Sequence, residues 1–494
     1  MSTPSDSLPA DLPARPTYPY KEKGKLLQVL GVGFGIAVAV GNTISAGIVH
    51  TPGDIAARLP NHWLFFTVWF VGALYALVSA FQVAELGAAI PKSGGQYNFS
   101  RLAIGDFAGF IVGWGDWLST CGSTGAVGIV IGEYMAHMFP TFDGSVHLRG
   151  ALASSLARFS AQLTDIPRIK ITAISVIALF ALLQWKSVSL GSKIQNFTTV
   201  LKGLAFFTIV VGCFSFGGHV RQSTESSSLA QAAAPVVIPV GAALITALLF
   251  GIQATIFTYD GWDGAIYFGD EIRNPGKFVP RAIFASLFSI VVIYLLINAA
   301  VLYVLPIREV AGNNFSLGLA AERVFGHHGD FIFRSLMVVA LFSSLNALHL
   351  MAARVIYAMS RDGLFFRAVS RVNKGGTPTI ALLLSAIFGV GFAAFSFDRV
   401  IAMLAFFFVT NYLLSFISLF LLRRTQPALP RPYRAWGYPW TTALALLGSI
   451  GFLIEAILED RTNSLLTLVA LACSYPAYRA LRLVSGGEVR NESV

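Results

Sequence analysis

Two acidic residues directly follow a run that is long enough to form most of a membrane-spanning helix. The stretch VGAALITALLFGIQATI leads into FTYDGWDGA, which carries Asp260 and Asp263. Gly261 and Gly264 stand beside them, and glycine in a helix interior costs about 1 kcal/mol relative to alanine. Carboxylates are tolerated at that depth where unwound backbone borders a wet cavity. The pattern therefore predicts a broken helix.

A second apolar run carries a similar interruption. GVGFGIAVAVGNTISAGIVHTPG is apolar at both ends and holds Asn42, Thr43, Ser45 and Gly47 at its centre. Ser, Thr and Asn side chains compete for backbone hydrogen bonds, so this helix is also predicted to break. Close packing against another helix is the alternative use of such small residues.

A broken span offers two kinds of binding group. The half-helix after the break presents free N–H groups at the positive end of its dipole, and the half before it leaves carbonyls unpaired. The first suits a carboxylate and the second an ammonium. A zwitterion of amino acid size satisfies both, which indicates the class of substrate.

Lys202 is the third residue whose position suggests chemistry. It stands alone in the apolar run NFTTVLKGLAFFTIVVG. An unpaired charge inside the membrane is costly, so an intramembrane lysine indicates a paired or functional group. Snorkelling of the side chain to the cytoplasmic face is the alternative.

The composition places the whole chain in a membrane. Hydrophobic residues make up 55% of the 494 residues, charged residues 12%, and the mean hydropathy is +0.68. About twelve apolar segments are long enough to cross a hydrocarbon core of about 30 Å as helices. Membrane β-strands would instead be about 10 residues long and alternate in polarity. The fold is therefore predicted to be all-α.

The order of the spans predicts topology and domains. Lys and Arg are about twice as frequent in loops on the N-terminal side as in those opposite, which puts both termini in the cytoplasm of a cell-membrane protein. The breaks fall in the first and sixth spans, a pairing typical of inverted-repeat transporters. The predicted divisions are a disordered cytoplasmic tail (1–25) and a transport core (26–422) made of two repeats (26–216 and 236–422). Two accessory helices (423–483) and a second cytoplasmic tail (484–494) follow the core.

Several partner classes find no support in the sequence. The net charge of +10 follows the loop bias and favours anionic lipid headgroups, and no basic patch with interleaved aromatic residues indicates nucleic acid. Cys121, Cys213 and Cys473 fall within predicted spans, so neither a disulfide-linked partner subunit nor a metal site is expected. No glycine-rich phosphate loop occurs, and no cofactor is expected.

Three classes of function compete. A channel would carry a repeated pore-lining segment or rings of like charge, and a membrane-embedded enzyme would cluster His, Asp or Cys near one face. The sequence shows neither pattern. The two breaks and the intramembrane lysine favour a secondary transporter, which is not an enzyme.

The residues around the breaks resemble the amino acid–polyamine–organocation (APC) superfamily. GNTISAGI is similar to its first-span motif, and FTYDGW looks closest to the L-type amino acid transporter branch and its bacterial relatives. AELGAAIPKSGGQYNFSRLAIGDFAGFIVGW, DEIRNPGKFVPRAI and SSLNALHLMAARVIYAMSRDGLFF stand in the order that the superfamily shows. The resemblance runs from about 28 to 422 and implies a leucine-transporter-like fold of five plus five inverted helices around a central site.

The resemblance also assigns backbone groups to the substrate. The N–H groups that would meet its carboxylate are those of Ser45, Ala46 and Gly47. The carbonyls that would meet its ammonium are those of Thr43, Phe257, Thr258 and Asp260. Ala46 departs from the Gly-Ser-Gly that the superfamily usually carries, which puts a side-chain hydrogen bond to the carboxylate in doubt. Amines that lack a carboxylate are then harder to exclude.

Side-chain roles follow from the same resemblance. Phe257 would close over the substrate from outside, and Trp262 would pack or act as a gate. Asp260 would either place negative charge near the substrate amine or a cationic substrate side chain, or cap freed N–H groups. Asp263 would contact substrate, cap the break or pair across helices. Lys202 would replace a sodium ion, with carbonyls near 41–44 and the hydroxyl of Ser343 or Ser344 as its partners.

The sequence therefore predicts a sodium-independent permease for L-amino acids. Neutral amino acids are favoured because the carboxylates of Asp260 and Asp263 can bond to the backbone N–H groups that the break frees. Cationic amino acids and polyamines or other amines are the alternative. Exchange and proton coupling both stay open, since the choice depends on whether Lys202 releases a proton during the cycle. Asp116 is a further candidate for proton handling. Glu85 and the cluster within 270–273 are expected to form ion pairs or gates at cytoplasmic span ends.

Overall fold

The computed structural model describes residues 26–45, 47–139, 168–228, 238–313, 315–326, 329–395, 397–459 and 461–481. Over these ranges the backbone forms helices and no strands, apart from two isolated bridges. The all-α prediction is confirmed. The predicted tails at 1–25 and 484–494 lie outside the described residues, as does Ala46.

The first half of the chain forms seven described helices. They are α1 (Val32–Thr43), α2 (Gly47–Arg58), α3 (His62–Ala89), the short α4 (Tyr97–Ala103), α5 (Asp106–Met138), α6 (Arg168–Lys186) and α7 (Val188–Ser228). The predicted first span is thus two helices, α1 and α2, which are bent by 43° at the break.

The second half begins with α8 (Ala242–Tyr259), and a separate 3-10 turn, Gly264–Tyr267, follows it after the break. The remaining helices are α9 (Pro275–Val304), α10 (Ile307–Val310), α11 (Ser316–Phe325), α12 (Gly329–Arg361), α13 (Thr379–Phe392), α14 (Phe397–Thr425), α15 (Trp440–Glu459) and α16 (Arg461–Ala472). A second 3-10 turn, Arg367–Ser370, separates α12 from α13.

Length and hydropathy identify a multi-pass membrane protein. Among the described residues nine helices are long and apolar enough to cross a membrane, and the broken pair α1 and α2 adds a tenth. Polar residues and glycines in the middle of α5 lower its hydropathy, and α13 has only 14 residues. Each of the twelve predicted spans contains a described helix, but the count of twelve spans stays a prediction, as do the inverted repeat and the domain bounds.

The eighth predicted span lies at the centre of the bundle. In α12, 83% of the most apolar 18-residue window is buried, against 28% in α6, α8 and α15. This helix contacts α1, α5 and α7. Since its surroundings are protein, its polar residues can be paired with other helices, whereas α15 keeps a broad apolar surface for lipid.

The two breaks touch each other. α1 ends at Thr43, and α8 ends at Tyr259 before Gly261 adopts a φ of +106°, which side chains rarely allow. A Cβ added at Gly261 would lie 2.5 Å from Asn42 Nδ2. Glycine is therefore required here both for the backbone conformation and for the approach of the first break to the sixth.

Gly261→Ala should destabilise the protein by about 1–3 kcal/mol, because alanine is strained at this φ and would displace Asn42. The measurement is the apparent melting temperature of the purified protein in detergent. Gly203→Ala on α7 is the control, since a Cβ there has nothing within 4 Å and alanine favours a helix. Equal melting temperatures for the two variants would contradict the close approach.

Candidate functional site

A cavity lies where the two breaks meet. It contains about 790 Å³ of empty space, part of it open to solvent. Seven of the predicted substrate-binding residues line it, namely Thr43, Ser45, Gly47, Phe257, Thr258, Asp260 and Asp263. The third, eighth and tenth predicted spans, represented by α5, α12 and α14, complete its walls.

Lys202 on α7 is fully buried and bonds to the end of α1. Its Nζ donates to the carbonyl oxygens of Gly41 at 3.0 Å and Ile44 at 2.5 Å, and to Ser344 Oγ at 3.0 Å. Ser344 Oγ in turn donates to the Gly41 carbonyl at 2.7 Å. The ammonium thus takes up carbonyls that the break in the first span leaves unpaired, and it joins that span to α12.

Ser343 makes a different set of contacts. Its hydroxyl lies 3.1 Å from Gln195 Nε2 and 2.9 Å from Thr199 Oγ1, and both of these groups also bond to the carbonyl of Ala37. Successive residues on a helix point about 100° apart, so only one of the two serines can face Lys202. Of the two predicted partners, the structure places Ser344 against the ammonium.

The backbone groups predicted for the substrate lie close together, and most of those carbonyls already accept a hydrogen bond. Tyr294 on α9 donates its hydroxyl to the carbonyls of Thr43 at 2.8 Å and Thr258 at 3.1 Å. The Phe257 carbonyl accepts the N–H of Asp260 at 3.1 Å. Because a carbonyl has two lone pairs, each can still accept a second bond from a ligand.

The segment that opens α2 packs directly on the sixth span. A Cβ at Gly47 would lie 3.4 Å from Thr258 Cα, and the Thr51 and Thr258 hydroxyls are 2.7 Å apart. The N-terminus of α2 therefore faces the carbonyl end of α8 across a narrow space. Groups of opposite polarity therefore border the same cavity.

Each acidic residue of the sixth-span break bonds to a side chain from another helix or loop. Asp260 Oδ1 accepts the Tyr412 hydroxyl of α14 at 2.8 Å, and Asp263 Oδ2 accepts Gln96 Nε2 at 3.0 Å. Asp116 on α5 is a third carboxylate in the wall, and its Oδ1 accepts the Tyr267 hydroxyl at 2.8 Å. These bonds tie the break to the third and tenth spans.

The two predicted gating aromatics have different surroundings. Phe257 lines the cavity and packs against Phe408 of α14, with ring centroids 6.2 Å apart. Trp262 is buried and stacks on Tyr412 with an interplanar angle of 12°. Phe257 can contact a ligand, whereas Trp262 holds the break against α14.

A layer of ion pairs lies beyond the cavity, on the side predicted to face the cytoplasm. Arg354 is three residues past the cavity-lining Met351 and donates to both Glu271 oxygens, at 2.9 and 3.0 Å. Burial raises the pKa of Glu271 above its ordinary value, and the guanidinium of Arg354 opposes that shift. Arg361 pairs with Asp270 at 2.7 Å. This layer links α12 to the segment that follows the sixth-span break.

Glu85 forms a second pairing at the predicted cytoplasmic end. It bonds to Arg423, to Arg431 at 3.2 Å and to the N–H of Ala435. These groups come from the end of α14 and the loop that follows it. Glu85 therefore joins α3 to the start of the predicted accessory region.

Sequence reasoning missed the partners that come from distant parts of the chain. Gln96, Tyr267, Tyr294 and Tyr412 each bond to a predicted site residue or to Asp116. Their only sequence signal is a polar side chain within or beside an apolar segment. Pairing them required knowledge of which helices are neighbours.

Comparison with known proteins identifies relatives over nearly the whole chain. A family model described as amino acid permease matches residues 30–470. The serine/threonine exchanger SteT of Bacillus subtilis is 26% identical over 94% of this chain and 99% of its own length. The branched-chain amino acid permease BcaP of Lactococcus lactis is 25% identical over 86% of this chain and 88% of its own length. The mouse Asc-type amino acid transporter 1 is 26% identical over 84% of this chain and 74% of its own length.

Lys202→Met should lower the melting temperature and abolish transport, because buried carbonyls at the first break lose a charged donor. An unsatisfied buried acceptor costs about 1–3 kcal/mol. Both properties can be measured on purified protein, in detergent and in proteoliposomes. Lys193→Met is the matched control, since Lys193 is exposed on the same helix. A Lys202→Met variant with normal stability and uptake would contradict the assigned contact.

Proposed function

This chain belongs to the amino acid permease family, and we propose that it moves L-amino acids across the cell membrane by alternating access without sodium. The observation that carries the proposal is the meeting of two broken helices at one cavity, with Lys202 bonded to the first of them. Its relatives are transporters rather than enzymes, and their names specify amino acids.

Recognition of the common part of an amino acid rests on backbone groups. The carboxylate would lie at the N-terminus of α2, where Ser45 and Gly47 line the cavity. The helix dipole and free N–H groups favour an anion at that end. The ammonium would lie at the carbonyls of Phe257 and Thr258, near the carboxylate of Asp260. Main-chain recognition of this kind tolerates an alanine at position 46.

Sodium independence follows from the position of Lys202. A sodium ion bound at the break would need the same carbonyl oxygens that the ammonium occupies. A fixed positive charge there supplies the same attraction to the carbonyl dipoles. The first span is then held to α12 in the absence of any metal ion.

Alternating access requires that one face opens while the other closes. The ion pairs of Arg354 with Glu271 and of Arg361 with Asp270 would close the predicted cytoplasmic face. Phe257 would close the opposite face when it moves over the substrate. Both termini are proposed to lie in the cytoplasm, as the loop charges indicate.

Two modes of coupling are compatible with this site. An exchanger would reorient only with substrate bound, and a proton symporter would reorient after a carboxylate of the cavity binds a proton. Sequence reasoning favours neutral amino acids, and the carboxylates of the cavity wall favour cationic substrates as the second candidate.

Proteoliposome uptake tests the proposal. Purified protein should accumulate at least one labelled L-amino acid at equal rates in sodium and in choline buffers, because no sodium site is needed. Uptake that requires preloaded unlabelled amino acid would identify exchange, and stimulation of uptake into empty vesicles by an inward proton gradient would identify symport. Protein-free liposomes and the Lys202→Met variant are the controls. Strict dependence on sodium, or no uptake of any amino acid, would contradict the proposed function.

A further inference from the structure

We infer that Asp116 and Asp263 form a second cation-binding subsite, which selects amino acids that carry an additional positive charge on the side chain. The inference rests on the proposed function, since it assumes that the common part of the amino acid binds at the two breaks. The acidic residues of the cavity wall indicate cationic amino acids as the substrate class. The subsite is separate from the carbonyls proposed for the α-ammonium.

The wall of the cavity is acidic. Asp116, Asp260 and Asp263 line it, and its lining includes no Lys, Arg or His among the described residues. The side chains of Asp116 and Asp263 are 2% and 3% exposed. Asp116 interacts electrostatically with both other carboxylates, so the three lie within one field. No ion pair joins any of them to a basic side chain in the described part of the chain.

A buried carboxylate without a counter-ion is costly. Separating a charged group from water costs several kcal/mol unless an opposite charge and hydrogen bonds compensate it. Lys202 does not serve this purpose, because its ammonium bonds to the end of α1 and to Ser344. The compensating positive charge must therefore come from a bound proton or from a cation outside the described residues, and a transported cation can supply it.

A neutral amino acid does not balance this charge. Its carboxylate and ammonium cancel, and its ammonium faces Asp260 and the carbonyls of the break. Asp116 and Asp263 then still lack a positively charged partner. A side chain that ends in an ammonium or guanidinium brings one further positive charge to the part of the wall that lacks one.

Only one of the two carboxylate oxygens of Asp116 accepts a hydrogen bond within the described ranges. Its Oδ1 accepts the Tyr267 hydroxyl at 2.8 Å, whereas its Oδ2 is buried and has no hydrogen-bond partner among the described residues. A buried acceptor without a donor is rare in proteins and indicates an absent ligand or a function. An ammonium is a suitable ligand, since it presents three donors.

Asp263 lines the same cavity and is held there by a second relay of side chains. Its Oδ2 accepts Gln96 Nε2 at 3.0 Å, and Gln96 Oε1 accepts the Ser415 hydroxyl of α14 at 3.1 Å. Tyr267 and Gln96 thus fix both carboxylates without neutralising them. Polar residues at the same wall, Thr120 and Asn411, can accept the remaining donors of a bound cation.

Uptake by reconstituted wild type, Asp116→Asn and Asp263→Asn tests the inference. The labelled substrates are lysine, ornithine, leucine and the diamine putrescine, each with and without an inward proton gradient. Wild type should take up lysine or ornithine in preference to leucine. Each variant should lose about 10- to 100-fold in lysine transport and less than about 3-fold in leucine transport, since a charge-assisted hydrogen bond is worth about 1.5–3 kcal/mol.

Glu322→Gln is the control, because it makes the same carboxylate-to-amide change at an exposed position of α11. If a variant is inactive with every substrate, thermal shift of the purified protein with lysine and with leucine replaces uptake. Stabilisation by lysine in wild type, but not in the variant, supports the subsite. Stabilisation of both proteins to the same extent overturns it.

The remaining outcomes separate this inference from the proposed function. Uptake of leucine without lysine or ornithine would overturn the subsite and leave amino acid transport intact. Leucine uptake that a proton gradient stimulates, and that Asp116→Asn uncouples, would also overturn it, because Asp116 would then bind a proton. If no amino acid is transported, the proposed function fails. The subsite would then be supported if wild type takes up putrescine and Asp116→Asn abolishes that uptake. It would be overturned if wild type takes up no putrescine, or if the variant takes it up as wild type does.

Discussion

The bond between the Lys202 ammonium and the end of α1 is the interaction on which the site depends. A helix that stops inside a membrane leaves carbonyls that lipid cannot satisfy. Lys202 donates to those of Gly41 and Ile44, and the lysine is itself tolerable there only because they accept its protons. The carbonyls offset the cost of burying the ammonium, and the ammonium satisfies the carbonyls. The break in the first span, and with it the free N-terminus of α2, is therefore stabilised by a side chain of the protein itself.

Two regions of opposite charge follow from this arrangement. The positive charge of Lys202 is placed behind the first span, whereas the cavity in front of it is lined by Asp116, Asp260 and Asp263. Beyond the cavity, Glu271 and Arg354 compensate each other within hydrogen-bond distance. Glu271 therefore has a basic partner beyond the cavity, whereas the carboxyl groups of the cavity wall have none among the described residues.

Local sequence features predicted the positions of the breaks, since Gly261 and the polar residues at 42–47 interrupt apolar runs whatever surrounds them. The family resemblance indicated the carbonyls that Lys202 contacts, although its replacement of sodium stays a prediction. The contacts of Tyr294, Gln96 and Tyr412 were not predictable, because they join helices far apart in sequence. The choice between Ser343 and Ser344 depends on the rotation of α12, which its sequence alone does not fix.

The most direct test of the central claim is a cryo-EM structure of the protein in lipid nanodiscs with a saturating transported amino acid and no sodium. The account predicts ligand density between the N-terminus of α2 and the carbonyls of Phe257 and Thr258, with Lys202 still bonded to the end of α1. A continuous first-span helix, or a ligand bound away from the two breaks, would contradict it.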